Sequence, residues 1–227
     1  MSDRSSSPRC DAIIFDLDGT LADTLADIAA ALNDALTALG RDVVHTVQVR
    51  TWVGEGLPTL CHRAWPQAGP ADAERLIAAA RTAYDDHFLV QTRLYPGVEE
   101  LLDALGRAGV PAAVLSNKPH DLTVRTLEGL RIADRFAVVR GYRNERDKKP
   151  AAEPALEIAR AMGIEPAAVA FVGDGVVDIA TARAAAMVPI AVTWGFRSRD
   201  ELRAAGAEWF VDRPADVLRF VRPADAK

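Results

Sequence analysis

The sequence predicts an α/β fold, a doubly wound parallel sheet that carries an inserted helical lobe. Short apolar runs rich in Val, Ile and Ala recur along the chain, each followed by polar residues or glycine. None alternates cleanly between apolar and polar, which is how strands buried on both faces read. From residue 111 onward, helical stretches of about ten residues separate the runs, and strand–helix alternation of this kind implies parallel strands joined by crossover helices. One long interval near the N-terminus breaks the rhythm.

Taken in order, the opening "MSDRSSSPR" is polar and Ser-rich and reads as a flexible tail over residues 1–9. The first strand is "AIIF" (12–15), too short an apolar stretch for a signal peptide or a membrane span. Roughly seventy residues without a convincing strand follow, far more than a crossover needs. They hold amphipathic stretches such as "LADIAAALNDALTALG" (25–40), ending at a glycine suited to a helix C-terminus, and "ADAERLIAAARTAYDDHF" (71–88). They are read as a helical lobe over 23–91, with the main domain formed by 10–22 and 92–222 and regained at the "YPG" turn (95–97). The remaining strands are "PAAVL" (111–115), "FAVV" (136–139), "AVAFV" (168–172), "PIAVTW" (189–194) and the weaker "EWFV" (208–211). The helices between them are "DLTVRTLEGL", "EPALEIARAMG" and "DIATARAAAM".

The composition narrows the function. The chain has 227 residues, of which 49% are hydrophobic, with a formal charge of −5. That suits one full-sized core with a small second lobe and provides no basic footprint for nucleic acid. Cys10 and Cys61 make no metal or disulfide framework by spacing, which fits a reducing, cytoplasmic setting. The expected partner is a small molecule, with no membrane and no nucleic acid, for a monomer or homodimer.

The chemistry gathers after strand ends. Asp16 and Asp18 in "FDLDGTLADT" leave the first strand two residues apart, so both side chains lean into the crevice where open α/β sheets bind ligands. Gly19 lets the chain turn away without crowding that space. Two carboxylates so close repel, and a divalent cation removes the repulsion, magnesium being the hard ion that favours oxygen ligands. Asp174 and Asp178 in "GDGVVD" repeat the theme, their spacing stacking both on one helical face. Ser116, at the end of "PAAVLSNK", puts a hydroxyl in the same position. Lys149 precedes Pro150, so its helix starts beyond it and its ammonium lies near a helix N-terminus, a good anion site.

With these residues in view, the chain resembles haloacid-dehalogenase-superfamily phosphatases from about Cys10 to near Val221. "DLDGT" at Asp16, "SN" at Ser116 and Asn117, "KP" at Lys149 and "GDxxxD" at Asp174 and Asp178 match in order. The resemblance implies a Rossmann-like core with a helical cap of the first type (C1). It implies Asp16 as nucleophile, forming an aspartyl phosphate, and Asp18 as general acid and base. Mg²⁺ would be bound by Asp16, the main-chain oxygen of Asp18 and Asp174, with Asp178 in support; Ser116, Asn117 and Lys149 would hold the phosphate. "WVGEGLPTL" (52–60), "SNKP" (116–119), "TWGF" (193–196) and "ELRAAGAEWFVDRPADVL" (201–218) are similar to phosphoglycolate phosphatases, which makes 2-phosphoglycolate the expected substrate. Gly175, Ala152 and Tyr142 depart from that pattern without removing a catalytic group. For the substrate carboxylate the candidates are Arg50 and the loop of Gly54, Glu55 and Gly56, then His62. The alternatives are a phosphatase for pyrophosphate, a nucleoside monophosphate or a sugar phosphate, and a phosphorylatable regulatory module. A dinucleotide-binding oxidoreductase is disfavoured, since no G-x-G-x-x-G follows the first strand.

Overall fold

A computed structural model describes residues 7–222. Its main sheet has six strands, β1 (Ala12–Phe15), β4 (Ala112–Pro119), β5 (Val138–Tyr142), β6 (Val169–Gly173), β7 (Val188–Val192) and β8 (Trp209–Val211), in the order β5-β4-β1-β6-β7-β8. Every pairing is parallel. The order reverses at β1, so the crevice outside its carboxyl end is the switch point where such sheets bind ligands.

The unalternating hydrophobic runs have a simple cause. Successive side chains of β1, β4 and β6 point to opposite faces, and both faces are covered. Ile13 and Phe15 enter one apolar cluster with Val114, Val172 and the helix α5 (Val98–Arg107). Ala12 and Ile14 enter another with Leu115 and Phe171, closed by α7 (Glu153–Met162) and α8 (Val176–Ala184). The helix α6 (His120–Gly129) covers β4 and β5, and α9 (Arg199–Ala204) covers β7 through Leu202 and Ala191.

Two strand readings shift. The run "FAVV" becomes β5 only from Val138, because a 3₁₀ turn at Ala133–Arg135 delivers Phe136 into the core instead of the ladder. β4 continues past Leu115 to Pro119, with its register broken between Ser116 and Pro119. At the N-terminus, residues 1–6 of the expected tail lie outside the described residues. By Arg9 and Cys10 the chain is already tied to the C-terminal segment, through Arg9 Nη1 to Val221 O at 3.0 Å and the Cys10 N–H to Phe220 O at 2.7 Å.

The long interval is helical: α1 (Leu25–Ala38), α2 (Thr46–Trp52), α3 (Leu57–Ala64) and α4 (Pro70–His87) pack around their own cluster of Leu32, Leu36, Val49, Leu60 and Leu76. Trp52 packs against that cluster. Gly40 follows the last turn of α1 with φ +67, the left-handed position expected of it. The interval also holds a two-residue antiparallel ladder, β2 (Ala22–Asp23) with β3 (Arg93–Leu94), where the lobe leaves and rejoins the core. No pattern of two residues is legible in sequence. Asp27, buried at the start of α1, braces this junction by accepting hydrogen bonds from the Gln91 and Thr92 N–H groups and the Thr92 hydroxyl. Among the described residues no helix is long and apolar enough to cross a membrane.

Candidate active site

The ends of β1, β4 and β6, with the loop before α7, bring the expected residues to one place. Asp16 leaves β1 with its N–H still bonded to Val172 O at 2.9 Å, which fixes its side chain at the sheet edge. Lys149 Nζ lies 2.7 Å from Asp16 Oδ1 and 2.6 Å from Asp178 Oδ1. Oxygens of Asp16, Asp174 and Asp178 all fall within 4.8 Å of one another, and all three residues are buried. The ammonium of Lys149 therefore sits among carboxylates rather than at the N-terminus of α7.

Asp174 and Asp178 meet for a different reason from the one their spacing suggests. Asp174 precedes the helix, whose N-cap is Gly175, and does not share a helical face with Asp178. Asp178 turns back to accept from the Gly175 N–H at 2.8 Å. Asp174 accepts from the Phe196 N–H at 2.7 Å and the Thr20 hydroxyl at 3.1 Å. This gives the "TWGF" loop its purpose: Phe196 orients Asp174, and Trp194 Nε1 donates to Thr20 O at 3.0 Å. Gly19 is required here twice over. Its φ is +88, and a Cβ on it would stand 2.3 Å from Asp174 Oδ2.

Charge balance in the cluster is poor for a protein interior. Burial first, and then the neighbouring Asp178, push Asp174 up to about 7. Burial and Asp178 also raise Asp16 well above the usual carboxylate range, although Lys149 pulls the other way. For Lys149 burial opposes the charge, but Asp16 and Asp178 overcome it and hold the ammonium above its ordinary range. Three buried carboxylates face one ammonium, which lies 2.7 Å from Asp16 Oδ1 and 2.6 Å from Asp178 Oδ1 and cannot balance all three. An all-oxygen set with excess negative charge fits a hard divalent cation.

Asp18 faces the other way into the same space. Its carboxylate accepts from Lys118 Nζ at 2.7 and 3.0 Å and from the Thr24 hydroxyl at 2.7 Å. Lys118 also donates to Tyr84 Oη of α4 at 2.9 Å. Neither Lys118 nor Tyr84 was singled out by sequence reasoning. Lys118 stands inside "SNKP", and the one available signal was its place two residues past a strand-end serine.

Asp16, Asp18, Ser116, Asn117, Lys118 and Lys149 form the floor of a half-open cavity of about 80 Å³ roofed by the helical lobe. Asn117 is fully engaged: its amide donates to Gly54 O at 2.9 Å and Lys149 O at 3.0 Å and accepts from the Lys149 N–H at 2.7 Å. It thereby ties the lobe's 53–56 loop to the floor. Gly56, with φ +91, passes so close that a Cβ would lie 3.3 Å from Lys148 Nζ. Gly54 and Gly56 line the cavity, as expected of that loop. Arg50 and Glu55 do not. Arg50 donates to the Gly195 and Phe196 carbonyls at 2.5 and 3.2 Å, and Glu55 pairs with Arg63 at 2.6 Å. His62 lines a separate open cleft beside the start of α8. The departures from pattern are accommodated: Tyr142 places its ring 4.5 Å from Lys148 Nζ, Gly175 gives its N–H to Asp178, and Ala152 starts α7.

The family model for haloacid dehalogenase-like hydrolases matches residues 13–192. A phosphoglycolate phosphatase of Chromobacterium violaceum is 35% identical over 216 residues, covering 93% of this chain and 96% of that one. One from Escherichia coli K12 is 36% identical over 205 residues, 81% of each chain. Among solved structures, a predicted phosphoglycolate phosphatase from Haemophilus somnus 129pt superposes with a TM-score of 0.87 at 28% identity, covering 92% and 97% of the two chains. A predicted phosphatase from Clostridium acetobutylicum gives 0.80 at 25% identity, covering 93% and 97%.

Proposed function

The chain belongs to the haloacid dehalogenase-like hydrolases, and from that premise we propose that it hydrolyses 2-phosphoglycolate through an aspartyl phosphate with Mg²⁺ as cofactor. The observation that carries the reading is the Asp16 carboxylate, buried at a strand end beside Lys149, Asp174 and Asp178, at the floor of a cavity roofed by the lobe. The substrate follows from the names of its relatives, phosphoglycolate phosphatases that match this chain over most of its length.

Asp16 attacks phosphorus, the bond from phosphorus to the ester oxygen breaks, and Asp18 hands the leaving oxygen its proton. Asp18 then takes a proton from the water that attacks the aspartyl phosphate, releasing phosphate and restoring Asp16. Lys149 and the Ser116 hydroxyl hold the non-bridging oxygens. With its amide engaged, Asn117 contributes through its main-chain N–H. Mg²⁺ would be held by Asp16, Asp174 and the main-chain oxygen of Asp18, with Asp178 in support, and when bound it supplies charge neutralisation between nucleophile and phosphate. The roof keeps stray water from the acyl phosphate. A regulatory module wants a long-lived acyl phosphate, and a carboxylate such as Asp18 beside it works against that.

The test is a panel of phosphorylated metabolites assayed for phosphate release. 2-Phosphoglycolate is expected to exceed pyrophosphate, nucleoside monophosphates and sugar phosphates in kcat/KM by more than about tenfold, or ~1.4 kcal/mol of transition-state binding. A different winner sinks the substrate assignment and leaves the phosphatase chemistry standing.

A further inference from the structure

We propose that Arg81 is the subsite for a second negative charge on the substrate, a carboxylate borne by the same small molecule whose phosphate meets Asp16. The assignment rests on the reading of the cavity given above, and it goes further by naming the group that tells a carboxylate-bearing ester from a neutral one.

Three cations line the cavity: Lys118, Lys149 and Arg81. Lys149 is held by Asp16 and Asp178, and Lys118 by Asp18 and Tyr84. Arg81 makes no ion pair or hydrogen bond among the described residues. The arginines nearest the lobe's junction with the core contrast with it. Arg50 grips the Gly195 and Phe196 carbonyls, Arg63 bonds Glu55 and Trp52 O, and Arg197 bonds the Arg50 and Val53 carbonyls at 2.7 Å each. In the open cleft of about 600 Å³ that also holds His62, both Arg63 and Arg197 are engaged in this way, and Asp16 does not line it. A second anionic group on a molecule already bound at Asp16 has, among the described residues, one unengaged cation within the same walls.

The rest of the roof makes that cation necessary. Elsewhere the lining is largely apolar, with Ile28, Leu32, Leu57, Leu60 and Leu122, which offer a carboxylate nothing. An ionised group enclosed there without a partner is strongly disfavoured. The guanidinium repairs this well, because its planar fork matches a carboxylate. Arg81 sits on α4 next to Ala80 and one turn before Tyr84, both cavity residues, yet it is itself exposed. Its stem can follow the apolar wall while its head stays hydrated until the carboxylate replaces the water. The small cavity sets the reach: only a short link between phosphate and carboxylate fits between floor and roof.

The experiment measures kcat/KM with Mg²⁺ for 2-phosphoglycolate, 2-phospholactate and ethyl phosphate, using the full chain and its Arg81→Ala and Arg81→Lys variants, with melting curves as a folding control. Arg81→Ala is expected to lower kcat/KM for both carboxylate esters by at least about tenfold, chiefly through KM, the scale of a lost hydrogen bond to a charged group. Ethyl phosphate should change less than about twofold, and Arg81→Lys should recover part of the loss. An equal fall on all three esters, or no fall on any, overturns the proposal while leaving the substrate reading intact. If the unmodified chain prefers 2-phospholactate and that preference needs Arg81, the subsite stands and the 2-phosphoglycolate assignment falls. No preference for carboxylate esters in the unmodified chain overturns both.

Discussion

The core and the helical lobe are held by different forces, and the difference divides the labour of the site. In the core, Asp16, Asp174 and Lys149 hang from strand ends and loops whose backbones are set by a sheet buried on both faces. The lobe has its own apolar cluster, which takes in Phe196 of the core, and Ala31 and Tyr84 pack with Leu122 of α6; these contacts are joined by polar clasps, Asn117 to Gly54, Arg50 and Arg197 to carbonyls, and Tyr84 to Lys118. Apolar burial is lost all at once when packing opens, whereas polar clasps exchange readily for water. The chemistry thus sits on the stiff part and access is governed by the part that can let go.

The sharpest way to break that division is to remove the proposed nucleophile. Asp16→Asn should cut turnover of every phosphate ester by at least about a thousandfold with the melting temperature preserved. Substantial residual activity on a purified sample would end the covalent mechanism, and with it the claim that the core alone carries the chemistry.

A smaller effect is expected at the junction. Tyr84→Phe removes the hydroxyl by which α4 touches the Lys118–Asp18 pair. Steady-state kinetics should show kcat lowered by roughly tenfold, in line with a lost hydrogen bond to a charged group, and KM little changed. A change confined to KM would make Tyr84 a substrate contact instead.

The least effect is thermal and concerns the acidic cluster. In the metal-free protein Asp174 is raised to about 7, and Asp16 is raised as well, against an ordinary value near 3.8. Between those limits the folded state binds more protons than the unfolded one, so this contribution to stability is lost as pH rises through the window. Calorimetry should find the chelated protein melting a few degrees lower at pH 8 than at pH 5.5. Added Mg²⁺ should raise the melting temperature more at pH 8, where the ligands are already deprotonated. An equal gain at both pH values would argue against the cluster as the metal site.

Much of this was legible beforehand, for physical reasons that can be named. A strand buried on both faces writes an apolar run, and the residues just past its end occupy the ligand crevice whatever the rest of the chain does. That is why Asp16, Ser116 and Asp174 could be found one by one. Lys149 was placed correctly on the wrong argument: a helix terminus was expected to hold it, and Asp16 and Asp178 do. The pair at 174 and 178 likewise meets through a turn closed by the Gly175 N–H, not through helical stacking.

The lobe was another matter. Helix periodicity told that α1 and α4 would have a buried face, and Leu32, Leu36 and Leu76 fill it. It could not tell which cation would look into the cavity, because that depends on how the whole lobe is turned against the core. The turn is decided by contacts such as Asn117 to Gly54 and Arg50 to Gly195, between residues 63 and 145 positions apart. Local pattern therefore specified the strand ends of this protein and the carboxylates that follow them. The engagement of Arg50, the freedom of Arg81 and the pairing of Lys118 with Asp18 arose only when distant segments were packed, since a side chain's partner is a property of the space it enters and not of its neighbours in the chain.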